Sequence, residues 1–187
     1  MTSTSNTANP TSFATLPLNP ATLANLEKLG YSEMTAIQAA SLPIALLGKD
    51  LIAQAKTGSG KTAAFLLPVL HTLIAQMHAQ AKKEADEWAA VVAEAEAKGE
   101  PAPKRARRKD PTNPRNFKAA TPGALILCPT RELAQQVAHD AIGLVSHCRG
   151  LRVANVVGGM PYQLQIAKLQ NANLVVATPG RLLDLQR

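Results

Sequence analysis

Ala55-Lys56-Thr57-Gly58-Ser59-Gly60-Lys61-Thr62 stands between the apolar run Leu51–Ala55 and a stretch whose apolar residues recur at helical spacing. The run is bounded by Asp50 and by glycines, and it reads as a short buried strand. From Thr62 onward, Phe65, Leu66, Val69, Leu70, Leu73 and Ile74 form one broad apolar face, the pattern of a core-facing helix. Pro68 lies early in that helix and predicts a bend. A strand, a glycine-rich loop and a helix N-terminus in this order form a cradle for an anion. Glycines let backbone N–H groups curl around a phosphate, and the helix end adds its positive dipole. In the general pattern G-x-x-x-x-G-K-[ST], the lysine reaches the β- and γ-phosphates and the hydroxyl sits on magnesium. Ala55 replaces the first glycine here, while Gly60-Lys61-Thr62 is intact. Residues Ala55 to Thr62 are therefore expected to bind a nucleoside triphosphate. Lys61 and Thr62 are the catalytic candidates and Thr62 the magnesium ligand.

Upstream of the loop, Met1–Ser12 is rich in Ser, Thr and Asn and reads as a mobile tail; its start, Met1–Asn9, is polar and lacks the apolar h-region of a secretory signal. Leu23, Leu26 and Leu29 predict a helix from Pro20 that closes at Gly30, and a second helix is expected from about Thr35 to Leu47. Downstream, Ala75–Lys98 is rich in Ala, Glu and Lys, with Glu94 and Lys98 spaced as a helical ion pair. Gly99 and Pro101 stop it. Glu100–Gly123 carries Pro101, Pro103, Pro111, Pro114 and Pro122 beside the cluster Lys104, Arg105, Arg107, Arg108 and Lys109, so an exposed, flexible basic arm is expected. Regular alternation then resumes: strands at Ala124–Cys128, Leu151–Val157 and Leu174–Ala177, helices at Arg131–Arg149, Pro161–Gln170 and from Arg181. Strands alternating with helices imply an α/β fold, a parallel sheet with helices on both faces.

The chain has 187 residues, suited to one domain, and 46% of them are apolar, enough for a core. A formal net charge of +7 favours an anionic partner, nucleic acid first. Cys128 lies inside an apolar run and reads as a buried thiol; with Cys148 it makes neither a disulfide framework nor a zinc motif, which fits a reducing compartment. The apolar stretches read as too short for a membrane span.

Further segments fall into line around the loop: Phe13, Gly30-Tyr31 and Thr35-Ala36-Ile37-Gln38 before it; Pro129-Thr130-Arg131-Glu132-Leu133-Ala134, Gly158-Gly159 and Thr178-Pro179-Gly180-Arg181 after it. Together they closely resemble the first RecA-like domain of the DEAD-box RNA helicases, over about residues 13–187 with an interruption at about 76–120. The resemblance implies ATP and magnesium as cofactors and RNA as partner. It implies that Gln38, with Thr35 alongside, reads adenine through its carboxamide and that Phe13 stacks on the base. It implies that Pro129, Thr130, Arg131, Glu132, Gly158, Gly159, Thr178, Pro179, Gly180 and Arg181 grip the RNA backbone. These turns follow the C-terminal ends of predicted strands, where ligands bind in open α/β sheets. The same residues also suit plain strand-to-helix turns, and Arg131 could pair with Glu132 or Asp184.

Met34 and Ala36 stand where the family usually has prolines, and the segment 76–120 is longer than the family carries there. No Asp-Glu-Ala-Asp sequence occurs in the chain. That tetrad would hold the metal and position water. The expectation is thus a cytoplasmic ATP-dependent RNA helicase, present as an N-terminal portion that binds nucleotide but is inactive alone. A non-catalytic ATP- or RNA-binding module is the alternative, and a different P-loop enzyme a third reading. The residues do not set the oligomeric state; a monomer is expected, with no membrane partner.

Overall fold

The computed structural model describes residues 11–105 and 119–186. Three short runs rich in Val and Leu pair as a parallel sheet: Ala124–Leu127 (β1), Val153–Val156 (β2) and Leu174–Ala177 (β3), in the order β1-β3-β2. Leu174 stands opposite both Ala124 and Val153, and Ala177 opposite Leu127 and Val156. β3 is central, and all four of its residues are buried, which is why its sequence is apolar without alternation.

Helices cover both faces, as the alternating pattern implied. On one side, Leu174 and Val176 join a core with Leu66, Leu70 and Leu73 of α3 (Lys61–Ala97) and Ala134, Val137, Ala141 and Leu144 of α4 (Arg131–Leu144). On the other, Val175 and Ala177 pack with Ala154 and Val156, against Leu169 of α5 (Tyr162–Leu169) and Leu182 and Leu185 of α6 (Pro179–Gln186). Two helices precede the phosphate loop: α1 (Pro20–Lys28), capped by Asn19, and α2 (Ala36–Leu46), capped by Thr35.

Several sequence expectations are corrected. Leu51–Ala55 forms no strand among the described residues: it pairs with no other segment, and Ile52 is fully exposed. A strand needs a neighbour for its N–H and C=O groups, and an apolar run without one is left to water. β1 likewise pairs only with β3 among the described residues, and Leu125 and Leu127 are about half exposed. Between them lies a cavity of about 830 Å³, walled by Leu51 and Ala53, by Phe65, Val69 and Thr72, and by Ala124, Ile126 and Leu127. Phe65 thus opens onto this cavity instead of joining the core; Leu67 takes the buried place.

α1 buries Thr22, Asn25 and Leu26, while Leu29 is exposed. Asn25 decides that phase: its amide donates to the Gly143 and Leu144 carbonyls at 3.1 and 2.9 Å and its oxygen accepts from Ser146 at 2.9 Å. The expected helix at Thr62 and the Ala/Glu/Lys stretch are one 37-residue helix, α3, which runs through Pro68. Glu94 and Lys98 pair at 2.5 Å near its end. By length and composition α3 could cross a bilayer, contrary to the sequence reading. Its Leu66, Leu70 and Leu73, however, are buried inside this domain. Ser12, placed in the mobile tail, is fixed: it caps the short turn Phe13–Thr15 and bridges Glu33. Pro111, Pro114, Arg107, Arg108 and Lys109 of the basic arm lie outside the described residues.

Candidate functional site

The phosphate loop owes its shape to two glycines in the left-handed region, Gly58 (φ +78°) and Gly60 (φ +88°). Gly60 is the N-cap of α3, so the helix dipole points its positive end into the loop. A Cβ on Gly60 would lie 2.5 Å from Gln38 Nε2 and 3.0 Å from Thr35 Oγ1, so this turn demands glycine twice over. The Lys61 ammonium folds back to donate to the carbonyls of Ala55 and Lys56, the latter at 2.7 Å. Ser59 Oγ is buried among these groups with no hydrogen-bond partner among the described residues. Thr62 is half-buried on the first turn of α3. Left-handed glycines at a helix start, an orphaned hydroxyl, an ammonium and a threonine are a donor set that suits a polyphosphate with its cation.

Gln38 is 2% exposed. Its oxygen accepts from the Thr35 N–H at 2.9 Å, closing a capping box, and its nitrogen donates to the Gly60 carbonyl at 3.1 Å. The structure thus couples the start of α2 to the phosphate loop through one side chain. Phe13 is buried in the core, edge-on to Tyr31 with ring centroids 6.1 Å apart. Its apolar ring is drawn inward, so neither face lies open in the manner base stacking calls for.

The turns that follow the three strands are tethered to one another. Cys128 N–H donates to the Ala177 carbonyl at 2.9 Å and Thr178 N–H to the Val156 carbonyl at 3.1 Å. Thr130 caps α4, its hydroxyl accepting from Leu133 N–H at 3.3 Å, and Glu132 complements the helix dipole in the first turn. Thr178 precedes α6, which begins at Pro179 rather than Arg181 because proline is pre-set for a first helical position. Burial pushes the Cys128 thiol above its ordinary pKa, and at 3% exposed it is the buried thiol read from sequence.

Arg131 and Arg181 converge on the turn after β2. The Arg131 guanidinium lies over Gly159 (φ +86°), 3.0 Å from where a Cβ would stand, and among the described residues it makes no ion pair with Glu132 or Asp184. Arg181 Nε donates to Gln165 Oε1 at 2.9 Å, its Nη2 donates to the Met160 carbonyl, and its guanidinium stacks 3.9 Å from the Tyr162 ring centre. Gln165 and Tyr162 escaped the sequence reading. Within Tyr162-Gln163-Leu164-Gln165 itself nothing marks one glutamine from the other. The one available signal is that Gln165 lies four residues before Leu169, on the inward face of α5.

One further feature joins the two halves of the site: the 830 Å³ cavity has Lys61 and Thr62 on one wall and Leu127 and Cys128 on another. The start of α3 and the C-terminal end of β1 therefore border one cavity, while Pro129, Thr130, Arg131 and Glu132 lie outside its lining.

A family model described as DEAD/DEAH box helicase matches residues 35–187. The chain is 40% identical over 93% of its length to the ATP-dependent RNA helicase DbpA of Escherichia coli (strain K12), and 36% identical over 93% to DEAD-box ATP-dependent RNA helicase 31 of Arabidopsis thaliana. It covers 29% and 20% of those relatives, under a third of either. Among solved structures, it is similar to a DEAD box protein from the hyperthermophile Methanococcus jannaschii. That match has a TM-score of 0.64 and 31% identity, covering 93% of this chain and 36% of that one. It is also similar to the RNA-helicase Prp28 from Chaetomium thermophilum bound to ADP, with a TM-score of 0.61 and 36% identity, covering 89% and 32%.

Proposed function

The chain belongs to the DEAD/DEAH box helicase family, and on that premise we propose that it serves ATP-dependent RNA unwinding, binding ATP with magnesium and an RNA backbone. The observation that carries this reading is that Lys61 and Thr62 line one cavity together with Leu127 and Cys128 at the C-terminal end of β1. Nucleotide at the start of α3 and RNA at the C-terminal ends of the strands then bind beside one another, the arrangement that coupling between them needs.

Lys61 holds the phosphates by charge, exchanging its hold on the Ala55 and Lys56 carbonyls for theirs. Ser59 and the N–H groups of the loop donate to phosphate oxygens, and Thr62 supplies a hydroxyl to magnesium. Magnesium, when bound, neutralises charge developing on the transferred phosphoryl group. Gln38 reports the state of the loop to α2 through its bond to Gly60 and gives preference for adenine. Arg131 and Arg181, near the starts of α4 and α6, place guanidinium groups where backbone phosphates pass. The proposed setting is cytoplasmic.

The test is a titration of a fluorescent ADP analogue with magnesium, then of single-stranded RNA, in wild type, Lys61→Ala and Gln38→Ala. Loss of nucleotide binding in Lys61→Ala by at least about tenfold supports the site. Equal binding in wild type and Lys61→Ala sinks it.

A second reading is favoured by one observation: among the described residues, no Asp or Glu lines the cavity beside Lys61 and Thr62. Hydrolysis needs a carboxylate there to hold metal and orient water. These 187 residues by themselves then bind nucleotide without cleaving it, which a phosphate-release assay with RNA present would decide.

A further inference from the structure

We infer that Gln165 is a positioning residue that locks Arg181 against the turn after β2. Gly158-Gly159 and Thr178–Arg181 then meet an RNA backbone as one rigid edge. The inference rests on the RNA reading above and assigns a role to a residue outside the turns that carry it.

Gln165 is 1% exposed. Burying a carboxamide is unfavourable unless both its ends are bonded. Here both are: Nε2 donates to the Val157 carbonyl at 2.6 Å and Oε1 accepts from Arg181 Nε at 2.9 Å. One side chain of α5 thereby ties the end of β2 to the start of α6. Arg181 completes the latch by donating to the Met160 carbonyl and lying 3.9 Å from the Tyr162 ring centre. Together these contacts join Val157, Met160 and Tyr162 to Arg181, two of them through Gln165.

The consequence for binding follows from donor counting. A guanidinium has five N–H donors in a fixed fork. The contacts above engage Nε and Nη2, which leaves Nη1 for a phosphate. Arg181 is half-buried and Tyr162 is 47% exposed, so the fork reaches the surface. Without Gln165, Arg181 regains rotamer freedom that must be lost again on binding. The effect belongs to RNA affinity and not to nucleotide affinity, because no contact of the latch involves residues 55–62.

The experiment uses the full chain and a fluorescein-labelled single-stranded oligoribonucleotide, followed by anisotropy. The variants are Gln165→Met, which keeps length and helix propensity, Arg181→Ala, the double variant, and Tyr162→Leu. Circular dichroism melts and a fluorescent ADP titration are run on each. Gln165→Met is expected to weaken RNA binding about tenfold with ADP affinity unchanged within about twofold, and the double variant to bind no worse than Arg181→Ala. Tyr162→Leu, at an exposed position, is expected to lose about threefold. RNA affinity in Gln165→Met equal to wild type, or losses that multiply in the double variant, overturns the inference and leaves the RNA reading standing. A folded wild type that binds ADP but no RNA overturns both. Should Gln165→Met not fold, Tyr162→Leu decides, and unchanged affinity there overturns the latch.

Discussion

Alanine at Gly60 and alanine at Gly58 look alike on paper and are expected to behave differently. Both residues have φ near +80°, at +88° and +78°, so either substitution brings backbone strain of about 1–2 kcal/mol. At Gly58 nothing lies within 4 Å of the new methyl; at Gly60 it would stand 2.5 Å from the Gln38 amide. Gly58→Ala should lower Tm modestly. Gly60→Ala should lower it further, by an added 1 kcal/mol or more on the order of a lost buried hydrogen bond, and also release the capping box. Paired thermal melts measure the difference; equal melts would show that Gln38 gives way freely. His147 offers a pH test. Burial pushes its pKa below the ordinary 6.5: Nε2 lies 3.2 Å from the Thr22 hydroxyl and Nδ1 is buried with no hydrogen-bond partner among the described residues. Below pH 6.5 the unfolded chain therefore binds more protons than the folded one. The stability His147 leaves intact above pH 6.5 is lost as pH falls through its folded value. His147→Asn should flatten the drop in Tm between about pH 7.5 and pH 5.5; an unchanged slope would place the sensitivity elsewhere.

α3 is two helices in physical terms. Its first half holds Ala63, Leu66, Leu67, Leu70, Leu73 and Ile74 in the core, whereas from Ala79 to Ala97 nearly every residue faces water. The second half rests on helix propensity and on exposed pairs such as Lys83–Glu87 and Lys98–Glu94, each worth a few tenths of a kcal/mol. Arg105 folds back to within 5.2 Å of the Trp88 ring centre and adds one more weak contact. Amide hydrogen exchange should accordingly be slow through Ile74 and fast beyond Ala79. Ala90→Gly should cost about 1 kcal/mol of local helix yet leave the global melt where it is. A shift in Tm would mean that the overhang packs on something.

The sheet has an open flank. β1 lacks a neighbour on one side among the described residues, Leu125 is 49% and Leu127 54% exposed, and Ile52 is fully exposed. Apolar surface arranged this way binds hydrophobic dyes and seeks partners. Leu127→Asp with Ile52→Asp should cut dye fluorescence severalfold while moving stability by no more than about 0.5 kcal/mol per site, the range for exposed positions. A dye signal untouched by both charges would locate the exposed apolar surface elsewhere in the molecule.

Local physics carried the sequence a long way. The glycines and Lys61-Thr62 of the phosphate loop, the β3 run, the caps Thr35 and Thr130, and the alternation that makes a parallel sheet are all short-range signals, set by φ preference, side-chain hydrogen bonding and apolar period. What only the tertiary structure decided is what depends on a partner far along the chain. Leu51–Ala55 has the composition of a strand and is none, because a strand exists only where another backbone meets it. Asn25 sets the face of α1 by bonding to residues 118 and 119 positions away. Phe13 and Gln38 turn inward, and Gln165, set apart from Gln163 only by its spacing to Leu169, becomes the residue that holds Arg181. A buried polar side chain is placed by the donors and acceptors around it, and that set is assembled only when the chain has folded.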